Sequence, residues 1–355
     1  MKARVVFVPA LLALWLAAPA VAQQRPLKVL VLYDMEGVSG ATDVKHVSFL
    51  HSAEYAEGRK LLTADVNAAI AGLKAAGATE IVVVDGHGSG NTTGPDVLED
   101  QLRAPARMIA RQGPFDIYMD SYDHSVDAIL AVAMHAGVGN QAGFLSHTYS
   151  SEDIDYRVNG MPYNESMILA MGAARLKIPL IMVSGDDQLE KELRRNLPWV
   201  RYATVKHAVD RSKAEALGRE EVSRRIETAA REALQALQAA RLPEFPGPYR
   251  FALTFQDQTQ AENAALAPGA ELQPNGLTVQ IRAQDFEEGY RKSLRLIGLA
   301  GMAGRAAAVQ AVLAAQPNAG TLRLAVDGWL ADRWLNRLPS PPTAAAGKRR
   351  YWGAR

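Results

Sequence analysis

From residue 27 onward, short apolar segments alternate with long amphipathic ones, and this alternation constrains the fold more than any other feature of the chain. Four segments have strand length and are largely apolar: Lys28–Tyr33, Glu80–Val84, Ala128–Ala133 and Pro179–Val183. Strands separated by helical patterns are typical of βαβ connections and of parallel sheets. The sequence therefore predicts an α/β fold, with a mostly parallel sheet flanked by helices.

The segments between and beyond these strands carry further local signals. Helices are predicted over Glu54–Ala76, Tyr163–Arg175 and Arg211–Ala240, and two more strands over Tyr249–Phe255 and Leu277–Ala283. The Asn-Gly pair at 159–160 follows Tyr156-Arg157-Val158 and is typical of a tight hairpin turn.

A group of three prolines, Pro243, Pro246 and Pro248, follows the long predicted helix and marks a boundary. We therefore predict a first α/β domain at 27–242 and a smaller C-terminal α/β subdomain at 249–300. Residues 301–355 are expected to form a helical extension with a basic tail. Its helices are predicted over Ala303–Ala315 and Ala325–Leu338.

The first 22 residues have the pattern of a secretory signal peptide. Lys2 and Arg4 form a positively charged start, Val5–Ala18 is a short apolar stretch, and Ala20-Val21-Ala22 is a cleavage signature. The alternative is a membrane anchor, but the apolar stretch is shorter than the roughly 20 residues that a span needs. We expect an exported protein, periplasmic or secreted, that leaves the membrane once residues 1–22 are removed.

Composition excludes several classes of function. Among 355 residues, 48% are hydrophobic and 22% charged, which disagrees with a disordered, collagen-like or polytopic membrane protein. Lys and Arg number 39 against 38 Asp and Glu, so no net field favours nucleic acid. Because cysteine is absent, thiol catalysis and cysteine-ligated zinc are excluded, and any metal must bind to His, Asp and Glu.

Two acidic residues follow the first predicted strand, at Asp34 and Glu36. In extended backbone, residues two apart project to the same side, and the carboxyl ends of parallel strands are where such sheets bind ligands. A divalent cation would offset the repulsion between the two carboxylates. The alternative is an N-cap aspartate beside a solvated glutamate.

Two histidines end later strands in small-residue settings, His87 and His135. A single histidine at a strand end is more often a hydrogen-bonded structural residue. Two of them near a carboxylate pair favour a site for zinc, which binds imidazole nitrogens and carboxylate oxygens. Glu165 at a predicted helix start could instead stabilise the helix dipole, and His147 in a glycine-containing loop could lie on the surface.

The order of these motifs resembles the zinc D-aminopeptidase family, the DppA-like metallopeptidases. The resemblance runs from about Lys28 to about Ala300, with additional matches at 184–187, 205–206 and 211–212. The motifs that carry it are Asp34-Met35-Glu36-Gly37, Asp85-Gly86-His87, His135-Ala136, Ser146-His147 and Asn164-Glu165.

The resemblance implies a two-zinc site and a homo-oligomeric ring. Asp34, Glu36, His87, His135 and Glu165 would be the metal ligands, with Asp34 bridging, and His147 would be the catalytic histidine. With three carboxylates and two neutral imidazoles, two zinc ions leave one positive charge, which suits a bound hydroxide. This chain departs from the family pattern in having Gly86 and Gly88 beside His87, and in a slightly longer gap from His135 to His147.

The function expected from these observations is that of an exported zinc-dependent aminopeptidase. Its substrates would be short peptides from which it releases N-terminal residues, in particular D-amino acids such as D-Ala. Two alternatives stay open. The first is a related zinc amidohydrolase or an L-specific aminopeptidase, and the second, of a different class, is a periplasmic binding protein without catalysis.

Overall fold

A computed structural model describes residues 26–335, 337 and 350–353, so the predicted signal peptide lies outside the described residues. The strands are β1 (Lys28–Tyr33), β2 (Glu80–Asp85), β3 (Ala106–Met108), β4 (Ala128–Met134), β5 (Asp153–Val158), β6 (Met161–Pro162), β7 (Leu180–Asp186), β8 (Arg201–Asp210), β9 (Lys213–Ala216), β10 (Tyr249–Phe255), β11 (Ala270–Leu272) and β12 (Thr278–Ala283). The longer helices are α1 (Ser52–Ala75), α2 (Glu165–Ala174), α3 (Asp187–Asn196), α4 (Arg219–Gln235), α5 (Gln258–Ala264), α6 (Phe286–Ala314) and α7 (Ala319–Trp334).

The first sheet has seven strands in the order β3-β2-β1-β4-β7-β8-β9. All its neighbouring strands are parallel except β8 and β9, which pair antiparallel. The predicted α/β fold with a mostly parallel sheet is therefore confirmed. The order changes direction between β1 and β4, and open α/β sheets bind ligands beyond the carboxyl ends of the strands at such a point.

Helices cover both faces of this sheet. Val29 and Val31 of β1 belong to the core that contains residues of α1 and α4, whereas Leu30 and Leu32 belong to the core that contains α2 and α3. The alternation follows because successive side chains of a strand point to opposite faces. Because helices cover both faces, a ligand can reach this sheet only at the polar loops that follow the carboxyl ends of its parallel strands.

The second sheet is antiparallel, with five strands in the order β11-β12-β10-β5-β6. Its strands β5 and β6 precede the proline-rich boundary and are joined by the predicted hairpin turn, in which Asn159 and Gly160 both have positive φ. The predicted division between 242 and 249 therefore does not separate the two sheets. Strand β5 pairs antiparallel with β10, which is distant in the chain, and such pairing leaves no signal in local composition.

The long helix predicted over Arg211–Ala240 is wrong in its first part, because residues 213–216 form the edge strand β9 and α4 begins at Arg219. The Asp210 side chain accepts hydrogen bonds from the backbone N–H and the hydroxyl of Ser212, which makes the tight turn between β8 and β9. Pairing with β8 overrides the helix propensity of the Lys-Ala-Glu-Ala segment.

Helix α6 is longer than the sequence predicts, since a single helix runs from Phe286 to Ala314. By length and composition it could cross a membrane. Its first half is a core helix, with Tyr290, Leu296 and Ala300 buried, whereas its second half and α7 are mostly exposed. The last predicted helix begins earlier than expected, at Ala319, and its predicted end lies outside the described residues.

Candidate metal centre

All six residues singled out in the sequence meet at the carboxyl edge of the first sheet. Their ligand atoms form two groups whose members lie within 4.8 Å of one another: Asp34, Glu36 and His87, and His135, His147 and Glu165. The two groups touch, because Asp34 Oδ2 lies 3.2 Å from His135 Nε2. Asp34 therefore lies where the two groups meet.

The Asp34–Glu36 segment is held against the end of β4 by its backbone. Asp34 N–H donates to Val132 O at 2.9 Å, and Gly37 N–H donates to Ala133 O at 2.8 Å. A Cβ at Gly37 would lie 2.0 Å from Met134 O, so only glycine allows this approach. Glu36 lies in a turn, not in extended backbone, but its carboxylate still faces the same site as that of Asp34.

The three histidines present the same ring atom to the site. Nδ1 of His87 lies 2.7 Å from Asp96 Oδ2, Nδ1 of His135 lies 3.0 Å from Ala136 O, and Nδ1 of His147 lies 2.9 Å from Leu145 O. Carboxylate and carbonyl oxygens accept and do not donate, so each Nδ1 carries a hydrogen. The Nε2 atoms are therefore the ones free to bind a metal ion, as is typical of metal-binding histidines.

Asp96 is a site residue that the sequence reasoning missed. Besides holding His87, the buried side chain of Asp96 accepts hydrogen bonds from the hydroxyls of Tyr55 and Ser89. The backbone N–H of Asp96 donates to Asp85 Oδ2 at 2.8 Å. Its only sequence signal is an ordinary loop aspartate in Gly94-Pro95-Asp96. A carboxylate that holds the outer nitrogen of a ligand histidine fixes the ring orientation and raises its basicity.

Glu165 is the first residue of α2, and it is buried. The Tyr118 hydroxyl donates to its Oε2 at 2.5 Å and the Tyr149 N–H donates to its Oε1 at 2.6 Å. The N-cap of the helix is the neighbouring Asn164, whose side chain accepts from Met167 N–H. Because Asn164 caps the helix, the inward orientation of Glu165 toward His135, 3.6 Å away, points to a role in the site.

His147 lies beside His135, with the two rings stacked at a centroid distance of 4.1 Å. Its Nε2 lies 3.9 Å from Glu165 Oε1, so the geometry alone would also allow it to bind a metal together with those two residues. It differs in exposure: its side chain is 25% accessible, against 1% for His135. Despite the longer connection from His135, this histidine therefore lies at the site, on its more exposed side.

Three non-glycine residues near these histidines have positive φ: Ala133 at 63°, Leu145 at 49° and Tyr149 at 67°. Each lies two residues from His135 or His147. Such conformations cost on the order of 1–3 kcal/mol each and persist where the surrounding structure enforces them, often at functional sites. The backbone here is shaped to aim the histidines and to bring Tyr149 N–H to Glu165.

Buried polar atoms at the site fit a bound cation. Glu36 Oε2 and His135 Nε2 are fully buried and have no hydrogen-bond partner among the described residues. Orphaned buried acceptors are uncommon and point to an ion or water. With three imidazoles and three carboxylates, the donor set suits zinc better than magnesium or calcium, which prefer oxygen ligands alone.

The electrostatics of the cluster agree with this interpretation. Burial raises the pKa of Asp34 well above its usual range, and the neighbouring Glu36 adds to the shift. Burial also opposes charge on Glu165, but His135 overcomes it and lowers the pKa of Glu165 to about 2. The pKa values of His87 and His135 are raised against the effect of burial by Glu36 and Glu165 respectively. Protons and metal ions compete for these nitrogens, so metal binding is expected to weaken as the pH falls.

A second residue with a new role is Lys206, which the sequence offered only as part of the family resemblance. It is fully buried, and its Nζ donates to Glu36 O at 2.8 Å and to Ala41 O at 2.7 Å. Burial lowers the pKa of Lys206 to about 7. The contact fixes the backbone of the loop that carries the two carboxylates.

The site opens into a cavity of about 550 Å³. This volume lies in the range of small-molecule sites. Its walls come from the loops that follow β1, β2 and β4, from residues 117–118 and, unexpectedly, from Trp352 and Gly353 near the end of the chain. The cavity is therefore large enough to hold a small molecule beside the residues of the cluster.

We expect Asp96→Asn to lower zinc affinity by roughly 10- to 100-fold, because the amide cannot replace the charged acceptor at His87 Nδ1. Competition with a chromophoric chelator measures this affinity. The matched control is Asp100→Asn, an exposed aspartate a few residues further along the same loop, which should bind zinc as the parent does. Unchanged zinc affinity in Asp96→Asn would show that Asp96 does not support metal binding and only accepts hydrogen bonds from Tyr55 and Ser89.

Comparison with known proteins gives one consistent result. A family profile described as D-aminopeptidase matches residues 27–294. A D-aminopeptidase of Bacillus subtilis (strain 168) is 29% identical over 277 residues, which cover 77% of this chain and 98% of the relative. The solved structure of the Zn-dependent D-aminopeptidase DppA from Bacillus subtilis, described as a self-compartmentalizing protease, superimposes with a TM-score of 0.71 at 29% identity and the same coverage.

Proposed function

Because this chain belongs to the D-aminopeptidase family of metallopeptidases, we propose that it releases N-terminal D-amino acids, such as D-Ala, from short peptides outside the cytoplasm. The observation that carries the proposal is the convergence of three histidines and three carboxylates, all of which except His135 line one cavity. A protein that only captures small ligands has no need of such a ligand set, and family membership excludes the non-catalytic alternative.

The residues proposed to hold two zinc ions are Asp34, Glu36, His87, His135 and Glu165. Zinc bound there would polarise the scissile carbonyl and bring the pKa of a water molecule close to neutral. The protein contributes rigidity: Asp96 holds His87, Tyr118 holds Glu165, and Lys206 holds the Glu36 backbone. Preorganised groups of this kind need little rearrangement during the reaction.

His147 is proposed to move the proton. Leu145 O accepts its Nδ1 hydrogen, and burial together with His135 lowers the pKa of His147, so that Nε2 carries a free lone pair at neutral pH. This Nε2 can accept a proton from the attacking water and return it to the leaving amine. Stacking on His135 keeps the ring in place for both transfers.

A peptide panel tests this function. Dipeptides that differ only in carrying D-Ala or L-Ala at the N-terminus are assayed with and without added zinc. We expect kcat/KM for the D-peptide to exceed that for the L-peptide by at least about 100-fold, since a chiral pocket places only one isomer for reaction. A preference for L-Ala would indicate an L-specific aminopeptidase. Cleavage of N-acylated substrates as efficiently as free amines would indicate an amidohydrolase.

Export is proposed from the first 22 residues. We expect the exported protein to begin at Gln23, because cleavage is expected after the Ala20-Val21-Ala22 signature. N-terminal sequencing and the intact mass of the periplasmic or secreted form measure this directly. Recovery of the chain with Met1 in the membrane fraction would instead identify the segment as an anchor.

We also propose that the protein assembles into a homo-oligomeric ring. Support comes from its solved relative, which is described as self-compartmentalizing. Sedimentation velocity at several protein concentrations gives the size of the assembly. A monomer at all concentrations would contradict this proposal without affecting the metal site.

A further inference from the structure

The segment Arg350–Gly353 returns to the first sheet and forms part of the wall of the active-site cavity. Trp352 and Gly353 line the same cavity as the metal-ligand cluster. Backbone hydrogen bonds hold the segment in place: Arg111 and Tyr351 exchange N–H···O bonds of 2.8 Å in both directions, and Phe115 N–H donates to Gly353 O at 3.2 Å. The segment therefore pairs like a short strand with the loop that follows β3.

The contact comes close to the metal ligands. A Cβ at Gly353 would lie 2.7 Å from the carbonyl oxygen of Asp85, which is two residues before the ligand His87. Glycine therefore permits a backbone approach at this point that any other residue would disturb. The wall is built from main-chain contacts against a rigid strand end and from one large aromatic side chain.

The Trp352 side chain supplies the bulk of this wall. It packs against the core shared with α1 and α4 and is only partly exposed. The Arg350 guanidinium lies 5.6 Å from its ring centroid, and Arg350 also approaches Glu99 Oε1 at 3.4 Å. An indole ring is large and rigid, so it defines the boundary of a cavity more sharply than a flexible side chain would.

The wall lies outside the region that this chain shares with its family. The family match ends at residue 294, and the 277-residue alignment with the Bacillus subtilis relative covers 98% of that protein. Residues 350–353 follow helix α7 and belong to the extension beyond that match. A substrate limit set by them would therefore be a property of this chain and not of the common catalytic core.

We propose that Trp352 is a specificity-determining residue, and that the Arg350–Gly353 wall limits the enzyme to short peptides by closing one side of its cavity. This inference rests on the proposed peptidase function for the identity of the substrate. Removing the indole should widen the cavity that Trp352 lines and admit longer chains. Hydrolysis of the shortest substrates depends on the cluster and should be affected much less.

The test compares peptides of two, four and six residues that share the same N-terminal D-Ala. Trp352→Ala is expected to raise the ratio of kcat/KM for the tetrapeptide to kcat/KM for the dipeptide by at least roughly 10-fold, and Trp352→Phe to keep the ratio near that of the parent. A chain ending at Arg349 should behave like Trp352→Ala. The matched control is Trp334→Ala on α7, where the side chain is 81% exposed and does not line the cavity.

Zinc content and thermal stability of each variant are measured together with these ratios. An unchanged ratio in both Trp352→Ala and the shortened chain, with zinc retained, would overturn the proposal. If the parent prefers L-peptides, the proposal of D-specificity fails. The ratio of kcat/KM for the tetrapeptide to kcat/KM for the dipeptide, measured on peptides with N-terminal L-Ala, then still tests the wall. If the parent hydrolyses neither series, calorimetric affinities of the zinc-loaded variants for the dipeptide and the tetrapeptide replace kcat/KM, with the same expected change and the same overturning result.

Discussion

We expect a chelator to abolish peptide hydrolysis by this protein, and added zinc but not magnesium to restore it. The physical reason is the proposed donor set, in which the Nε2 atoms of His87 and His135 face the carboxylates of the site. Imidazole nitrogens suit zinc, whereas magnesium prefers oxygen ligands. Rates measured before chelation, after chelation and after metal addition give the result.

The same preparation decides the number of metal ions. We expect close to two zinc ions per subunit by elemental analysis, since the ligand atoms form two adjoining groups joined by Asp34. A value near one would leave a mononuclear site and remove Asp34 from its bridging role. Full activity after exhaustive chelation would refute metal-dependent hydrolysis altogether.

The second large effect is expected for His147→Ala, which should lower turnover by roughly 10²–10⁴-fold while both zinc ions remain bound. This residue differs from His135 because a quarter of its side chain is accessible from the cavity. A group that acts on the substrate can be removed without loss of the metal. Steady-state kinetics and zinc content, measured on the same sample, separate the two roles.

The matched control is His124→Ala, an exposed histidine outside the cavity, which should change neither property. Zinc loss in parallel with activity in His147→Ala would make His147 a ligand together with His135 and Glu165. Unchanged turnover would show that another group moves the proton.

The pH profile provides a further check on His147. Burial lowers the pKa of this histidine below that of a free side chain, whose value is about 6.5. A base acts only when deprotonated, so activity should fall as the pH drops through this lowered pKa. We expect His147→Ala to lose this acidic limb of the kcat profile. If His147 acted only as a neutral hydrogen-bond donor, the substitution would leave the acidic limb of the kcat profile unchanged.

Local pattern was sufficient to predict four neighbouring strands of the first sheet, β2, β1, β4 and β7, and the chemistry-bearing residues that follow three of them. Apolar strands separated by helices specify parallel pairing, and parallel strands end at a common edge. Residues placed directly after strands, such as Asp34, His87 and His135, therefore had to lie near each other once the order of the strands brought β2, β1 and β4 together. Their side chains are aimed by backbone that is fixed within a few residues.

The residues that hold this cluster could not be predicted in the same way. Asp96 lies in a loop with no periodic pattern, Tyr118 is distant from Glu165 in sequence, and both contacts exist only because the loops fold over the same strand ends. The helix predicted over residues 213–216 is wrong for a related reason. Its residues favour a helix in isolation, and only pairing with β8 makes them a strand.

The sequence by itself therefore determined the fold class, because that depends on the short-range patterns of strand length and helix period. It indicated zinc chemistry through the residue types that follow the strands and through the order of the family motifs. The tertiary structure decided the pairing of β5 with β10, the partners of the ligand histidines and the return of Trp352 to the cavity. Each of these joins residues far apart in the chain through contacts that many other sequences could make equally well. Long-range contacts of this kind are selected by the packing of the whole chain and leave no mark in the local pattern.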